Sequence, residues 1–354
     1  GSAIQIIGTD NIDSIRGPNP VGCVFSEYAF QDPRAWDIVR PILRENKGWA
    51  LFAYTPNGKN HGYRLYNVAR VEMDQGNPEW FCQLLTVRET FRPDETPVIA
   101  EREIEEERRT GMDEDLIQQE YYCSFAGGVH GSYYSKLLER IQDEGRIGTV
   151  PYNPALPVLT FWDIGIADST AIWFVQVVGN EYHVIDYYQN SGEGLLFYWR
   201  ELQARPYQYA PYHYGPHDLV ARDAGTGKSR VEIARTFGLR FRIVPKLSVD
   251  DGIDAVRRTL VRCRFDKEKC QRGLDALYNY HKTWDEGRKE FSRTPQHDWS
   301  SDGADAFRYF AVGIRAPDAP GSRQSFADSS FSPFDDSHQV PTQEWAESEF
   351  EVLN

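Results

Sequence analysis

The chain has 354 residues, of which 40% are hydrophobic and 14% aromatic, enough for about two domains with hydrophobic cores. Its net charge of −14 argues against a generally basic nucleic-acid binder, although a local basic stripe or a bound metal ion still allows contact with DNA. No apolar run approaches the roughly 18 residues of a membrane helix, and no signal peptide is recognisable. The five cysteines are odd in number and form no CxxC pair, which predicts reduced thiols of a cytosolic protein rather than disulfides or a zinc site.

Residues 1–85 have the pattern of a partial α/β domain. The segments 3–8, 21–29 and 48–58 predict short strands, and 33–43 has the apolar spacing of a helix. Strands that are apolar on both faces and separated by helices indicate a parallel sheet. The sheet that these segments predict is incomplete.

Residues 86–150 predict a helical connector. The stretch 99–122 has the pattern of two charged helices separated near Gly111, and a glycine-rich turn and a further helix follow it.

Residues 151–315 predict a second domain. Three consecutive strands, 157–165, 170–179 and 181–189, are followed by alternating helices and strands, and the last helix begins within 299–310. This order favours a ribonuclease H-like arrangement, which is a mixed sheet flanked by helices.

The final segment, 316–354, is rich in Ser, Pro and Asp. It holds eight acidic side chains against one arginine, and therefore half of the net charge of −14. This composition predicts a disordered tail or an interaction tail.

Three aspartates of the second domain occupy positions that a metal site would use. Asp163 ends the first strand of that domain, Asp218 ends a later strand in "YGPHD", and Asp305 lies on the final helix. Ligands of open α/β sheets bind beyond the strand ends, and clustered carboxylates suit Mg²⁺ or Mn²⁺. Two such ions would support phosphodiester cleavage. The alternative, that each aspartate only caps a turn, is not excluded by the spacing.

One basic segment, 257–272, is a candidate for contact with the DNA backbone. On a helix, Arg257, Arg258 and Arg262 would form a stripe facing phosphates. A solvated helix face is the commoner role of such a run, and this alternative stays open.

A glycine-rich segment, "RDAGTGKSR" (222–230), contains the only "GKS" of the chain. A phosphate-binding Walker A match would need glycine where Arg222 stands, and a strand-to-helix setting in a nucleotide-binding domain. We therefore interpret the segment as a loop whose Lys228, Ser229 and Arg230 are candidates for contact with DNA phosphates.

Longer stretches resemble the large terminases of tailed bacteriophages, in consistent order over about residues 1–315. The stretches that resemble the nuclease domain of this family are "LTFWDIGIADSTAIWFVQ", "YGPHD", "VDDGIDAVRRTLVRCRFD" and "DGADAFRYF". Those that resemble the second half of its ATPase domain are "GCVFSEYAF" and "GWALFAYTPNGKNHGY". The resemblance implies a subunit of a DNA-packaging motor, in which an ATPase moves DNA into a procapsid and a metal-dependent endonuclease cuts concatemeric DNA.

The resemblance also implies a metal site. Asp163, Asp218 and Asp305 match the three metal-binding acids of the family. Asp302 stands where relatives often have His, so it would either join the metal ligands or cap the helix, and we favour the cap.

Two residues of the first domain match ATPase motifs of the family. Glu27 matches the catalytic glutamate after the Walker B strand, which orients water toward a γ-phosphate, although Ser26 replaces the expected Asp. Thr55 matches the motif that couples hydrolysis to movement; the alternatives are a strand-end Glu and a turn Thr. No P-loop precedes them, so we expect a fragment, a truncated prophage copy or one part of a split gene that does not hydrolyse ATP by itself.

As cofactors and partners, the resemblance implies Mg²⁺ or Mn²⁺ at a two-ion nuclease site, ATP only in the complete motor, double-stranded DNA, a portal protein and a small terminase subunit. The complete motor would be a homo-oligomeric ring in the host cytoplasm, at the procapsid. Two alternatives remain. A defective prophage remnant would bind DNA, portal or small terminase without cutting, and the intact trio of acids speaks against it. Another ribonuclease H-like nuclease, such as a resolvase, is disfavoured by the ATPase-like first 85 residues.

Overall fold

The computed structural model describes residues 3–8, 15, 17–126, 131–165, 169–222, 227–285 and 290–315. The predicted acidic tail, 316–354, and residues 223–226 of the glycine-rich loop lie outside this part of the chain.

The amino-terminal unit is built on two parallel strands. β1 (Gly22–Ser26) and β2 (Trp49–Ala53) pair in parallel, and α1 (Arg34–Glu45) connects them. α2 (His61–Asp74) follows the second strand. The parallel pair with its connecting helix confirms the predicted α/β pattern.

Two details of the prediction for this unit are wrong. Residues 3–8 form no strand, and Ile4 and Ile6 are each 97% exposed, because no described strand offers them backbone hydrogen bonds. The strands are also not buried on both faces, since Val24 and Leu51 are exposed.

The connector contains the two predicted charged helices, α3 (Glu101–Thr110) and α4 (Glu114–Glu120), which are separated at Gly111. α5 (Ser135–Asp143) follows, and its buried face packs into the core of the next unit. β3 (Ile147–Gly148) then forms the edge of the large sheet, so that sheet begins within the segment that the sequence assigns to the connector.

The large sheet is mixed and has seven strands. β4 (Leu159–Ile164), β5 (Ser169–Val178) and β6 (Glu181–Ser191) form the predicted antiparallel meander. β7 (His213–Gly215) lies parallel to β4, and β8 (Phe241–Ile243) lies parallel to β7. β9 (Cys263–Asp266) joins the other side, giving the order β3-β9-β6-β5-β4-β7-β8. A meander extended by parallel strands beside its first strand confirms the ribonuclease H-like arrangement.

Helices cover both faces of this sheet. They are α6 (Leu195–Gln203), α7 (Arg230–Thr236), α8 (Val249–Leu260), α9 (Gln271–Asn279) and α10 (Ser301–Gly313). The core under α5, α8, α9 and α10 contains Trp173, and the core under α6 and α7 contains Trp162, each of them 0% exposed. A hairpin that the sequence did not predict, β10 (Lys282–Asp285) and β11 (Glu290–Pro295), precedes α10.

Of the helices in the described ranges, none combines the length and the apolar character needed to cross a lipid bilayer.

Candidate functional site

β4 carries Asp163 to the carboxyl edge of the sheet. Asp163 lies opposite Ala171 of β5, which lies opposite Gln189 of β6. Directly opposed residues of neighbouring strands point to the same face. Phe161 and Tyr187, two positions earlier on their strands, pack in the core that α10 covers. Asp163 and Gln189 therefore face α10, and the small side chain of Ala171 leaves space between them.

The neighbouring parallel strand carries Asp218 to the same edge. β4 and β7 run in the same direction, with Phe161 opposite Tyr214, so their carboxyl ends lie together. After β7 the chain enters a 3₁₀ turn, His217–Val220, in which Leu219 is buried and Asp218 is exposed. The parallel pairing thus brings both strand-end aspartates to one edge, as the sequence predicts.

α10 places two further carboxylates over this edge. Asp302 and Asp305 are three residues apart and therefore share a helix face. The helix is held by Phe307, whose ring lies 5.2 Å from that of Trp173, and by a hydrogen bond of 2.8 Å from Trp173 Nε1 to the Gly303 carbonyl. The start of α10 is therefore fixed against β5.

Asp302 accepts a hydrogen bond from β6. Gln189 Nε2 donates to Asp302 Oδ2 at 3.1 Å, and Gln189 Oε1 accepts from the Tyr187 hydroxyl at 2.8 Å. The helix is preceded by Ser300, whose backbone N–H and hydroxyl both donate to the side chain of Asp298, at 2.8 and 2.6 Å. Asp302 itself lies in the first turn of α10, where its charge suits the helix dipole, so its assignment as cap or metal ligand stays a prediction.

Asp305 has two partners that the sequence analysis missed. The Tyr280 hydroxyl donates to Asp305 Oδ1 at 3.2 Å, and Arg308 Nη2 lies 3.3 Å from the same oxygen. The spacing of Asp302, Asp305 and Arg308 along one helix was a usable signal for the arginine. Tyr280 comes from the end of α9, and no sequence pattern connects it with the site.

The carboxylates affect one another electrostatically. Burial raises the pKa of Asp163 well above its ordinary value. Three nearby carboxylates raise this pKa further, and the Arg308 guanidinium lowers it; the three are Asp305, Asp302 and Asp218. Burial also raises the pKa of Asp305, again against Arg308. Additional positive charge would therefore stabilise the ionised form of this site.

The donor set fits a hard divalent cation, since Mg²⁺ and Mn²⁺ prefer carboxylate oxygens. The arrangement itself is not closed around a single point: among the described residues, no three His, Cys, Asp or Glu side chains converge as ligands of one ion. Asp305 instead contacts Arg308. The acids share one edge and one electrostatic environment without forming an assembled coordination sphere.

The glycine-rich loop ends beside the acidic edge. Arg230 opens α7, which Ser229 caps, and Arg230 Nη1 donates to the carbonyl of Ile164 at 3.3 Å. Ile164 directly follows Asp163. Arg230 is therefore next to the candidate site, and Lys228, two residues earlier, is exposed.

The second basic set is divided. Arg257 and Arg258 are exposed near the end of α8, whereas Arg262 lies beyond that helix and donates to Asn180 Oδ1 at 2.7 Å. Asn180 stands in the turn at the far end of β5, a strand of 10 residues, which is about 30 Å long at the usual rise. The three arginines therefore do not form one helical stripe, and Arg262 lies at the opposite end of β5 from the aspartates.

The two ATPase-type candidates share an edge of the small sheet. Glu27 directly follows β1, is exposed, and donates its backbone N–H to the Ala53 carbonyl at 2.7 Å. Its φ of 54° is left-handed, which is strained for glutamate and often occurs at functional positions. Thr55 follows β2 by two residues and is half-buried. Parallel pairing thus brings both to one edge, remote in sequence from the aspartates.

No protein-family model matches the chain, and no curated protein matches it. Solved structures of bacteriophage large terminases do align with it. The large terminase of a thermophilic bacteriophage in complex with ADP aligns over 85% of this chain and 71% of its own, with 16% identity and a TM-score of 0.41. The P22 large terminase nuclease domain aligns over 49% of this chain and 89% of its own, with 16% identity and a TM-score of 0.39.

A third structure, the large terminase nuclease from the thermophilic phage G20c with bound cobalt, aligns over 51% of this chain and 97% of its own. Its identity is 16% and its TM-score 0.35. These proteins belong to the family that the sequence motifs resemble. Because all three TM-scores are below 0.5, the functional proposal rests on the strand order and the carboxylates of this chain.

Proposed function

We propose that this chain is a metal-dependent DNA endonuclease of a viral DNA-packaging terminase, which cuts concatemeric double-stranded DNA. One observation carries the proposal. Two strand-end carboxylates, Asp163 and Asp218, and two helix carboxylates, Asp302 and Asp305, share one edge of a ribonuclease H-like sheet. Four acids at one place are costly for a fold, and a divalent cation is a partner that their oxygen donors suit.

The four aspartates would hold the cation or cations, which when bound supply an activated water and stabilise the leaving oxygen of the phosphodiester. The side chains around them position the acids. Gln189 holds Asp302 through its amide, and Tyr280 holds Asp305 through its hydroxyl. Arg230 and Lys228 would meet the DNA backbone beside the scissile phosphate.

The amino-terminal unit, in this proposal, corresponds to the second half of a packaging ATPase. Glu27 would orient a water toward the γ-phosphate of ATP, and Thr55 would couple hydrolysis to movement, both within a complete motor that includes a portal protein and a small terminase subunit. The left-handed backbone of Glu27 supports a functional position at the end of β1.

The test is cleavage of supercoiled plasmid with Mn²⁺ or Mg²⁺ by the wild type, by Asp163→Asn and by Asp186→Asn. Asp186 is a suitable control because it lies on the sheet's other face and accepts from Arg205 Nε at 3.3 Å and from the Tyr207 hydroxyl at 3.1 Å. We expect metal-dependent cutting by the wild type and the control, and a loss of about 100-fold or more in Asp163→Asn. Equal cutting by all three proteins would refute the assignment of the site.

A second candidate function is binding to DNA or to packaging proteins without cutting. It is favoured by the lack of three converging ligands among the described residues. Absence of cutting by the wild type with either metal, together with retained DNA binding, would select it.

A further inference from the structure

Arg308 lies among the acids of the site, on the same helix as two of them. Arg308 follows Asp305 by three residues, and its Nη2 lies 3.3 Å from Asp305 Oδ1. Both side chains are largely buried, with 18% of Arg308 and 28% of Asp305 exposed. A contact this shielded from solvent is screened less by salt than a surface ion pair.

The path of the Arg308 side chain depends on a glycine of the facing helix. Gly252 lies inside α8, where a Cβ atom would be 2.4 Å from Arg308 Cδ and 2.8 Å from its Cγ. Glycine within a helix costs roughly 0.5–1 kcal/mol relative to alanine. α8 thus carries a helix-weakening residue at the point where the stem of Arg308 passes, and the guanidinium is directed toward the acids.

The same oxygen of Asp305, Oδ1, is engaged on two sides, by Arg308 and by the Tyr280 hydroxyl. A cation that takes this oxygen as a ligand must therefore compete with the guanidinium for it.

We propose that Arg308 is the internal counter-ion of Asp305, and that a divalent cation binds by displacing its guanidinium from Asp305 Oδ1. This inference rests on the proposed metal site but goes beyond it. It makes Arg308 a residue that positions Asp305 and sets the affinity for the metal. Metal binding and release of Arg308 from Asp305 are then one exchange of cations.

The test is calorimetric titration of the full chain with Mn²⁺, without DNA, for the wild type, Arg308→Met, Arg308→Lys and Arg235→Met. Arg235 is the matched control because it is an exposed arginine on α7. We expect Arg308→Met to bind Mn²⁺ roughly two- to fivefold more tightly, since the competing pair is worth about as much as a partly exposed ion pair. Arg308→Lys keeps a competing cation and should bind nearly as the wild type does, and Arg235→Met should be unchanged.

A second variant approaches the same contact from the facing helix. Gly252→Ala would push the stem of Arg308 aside and should tighten Mn²⁺ binding in the same direction, while Arg308 itself remains. Thermal unfolding in EDTA and in Mn²⁺ monitors the fold of every variant, and Arg308→Met should show the larger gain in Tm on adding Mn²⁺.

The outcomes separate this inference from the proposed function. Equal or weaker Mn²⁺ binding by Arg308→Met, with a wild type that binds, overturns the counter-ion role and leaves the metal site intact. No Mn²⁺ binding by any of the proteins overturns the metal site and the inference with it. Binding by Arg308→Met but not by the wild type supports both.

Discussion

Replacing Asp163 by asparagine should stabilise the ion-free protein while abolishing its metal-dependent activity. Asp163 is buried and lies near other acids, and both conditions disfavour its charged form, as its raised pKa indicates. Each unit of such a pKa shift corresponds to about 1.4 kcal/mol. Replacing an unfavourable ion of this kind by a neutral group of similar shape is expected to gain about 1–4 kcal/mol. At roughly 2–4 °C per kcal/mol, Tm should rise measurably in EDTA.

The pH dependence of this gain has a defined sign. The unfolded carboxyl of Asp163 titrates near its ordinary pKa of 3.8, and the folded one well above it. Between the two values the folded state binds more protons than the unfolded state, so stability falls as pH rises through this interval. Below about pH 3.8 the wild type bears no such cost. The advantage of Asp163→Asn should therefore be small near pH 4 and largest once pH exceeds the folded pKa.

The assay is thermal unfolding at several pH values, in EDTA and in Mn²⁺. Asp186→Asn again serves as the control, and it should lose stability, because Asp186 is paired with Arg205. In Mn²⁺ the wild type should gain more in Tm than Asp163→Asn, since only the native wild-type site binds the ion fully. A lower Tm of Asp163→Asn in EDTA at neutral pH would refute the electrostatic reasoning.

Three further predictions concern the contacts around the site. Gly303→Ala should lower the free energy of unfolding by about 1–3 kcal/mol, because its Cβ would lie 2.7 Å from a side-chain carbon of α9. Gly194→Ala is the control, because its Cβ meets open space. An unchanged Tm for Gly303→Ala would mean that α10 shifts freely. Arg64→Ala should lower the free energy of unfolding by about 1–3 kcal/mol, measured by thermal unfolding. The carboxylate of Asp275, which is 4% exposed, then loses its two hydrogen bonds to Arg64, of 2.6 and 2.7 Å. Adding Asp275→Asn should recover part of the loss, and a double variant no more stable than Arg64→Ala would contradict this explanation. Tyr280→Phe should reduce plasmid cleavage about tenfold with little change in Tm, because only the hydroxyl that donates to Asp305 is lost. Full activity would show that this hydrogen bond does not position Asp305.

Local patterns in the sequence were sufficient for the frame of the fold. The antiparallel meander β4–β6 follows from three apolar runs separated by short turns, and α3 and α4 follow from the charged stretch around Gly111. The residues 3–8 have the same apolar character as a strand, yet they form none, and Ile4 and Ile6 are exposed. A strand forms only where another strand completes its hydrogen bonds, and that partner is decided by the fold as a whole.

The candidate site, like the fold, was predictable from the sequence only in part. Asp163 and Asp218 were predictable because a strand-end position is visible in the sequence, and parallel pairing then fixes which edge they share. The hydrogen bond from Gln189 to Asp302 was not predictable, since the sequence does not show that Gln189, on β6, stands beneath the start of α10. Tyr280 was missed for the same reason.

The sequence by itself therefore determined the meander, most of the helices and which acids lie at the strand ends, because periodicity and chain order are local properties. Only the tertiary structure decided how those acids are partnered from other elements, because α10 must pack across β4 and β5 before Asp302 meets Gln189, and against α8 before the stem of Arg308 meets the gap left by Gly252. Contacts between elements far apart in the chain depend on close packing, which no single segment encodes.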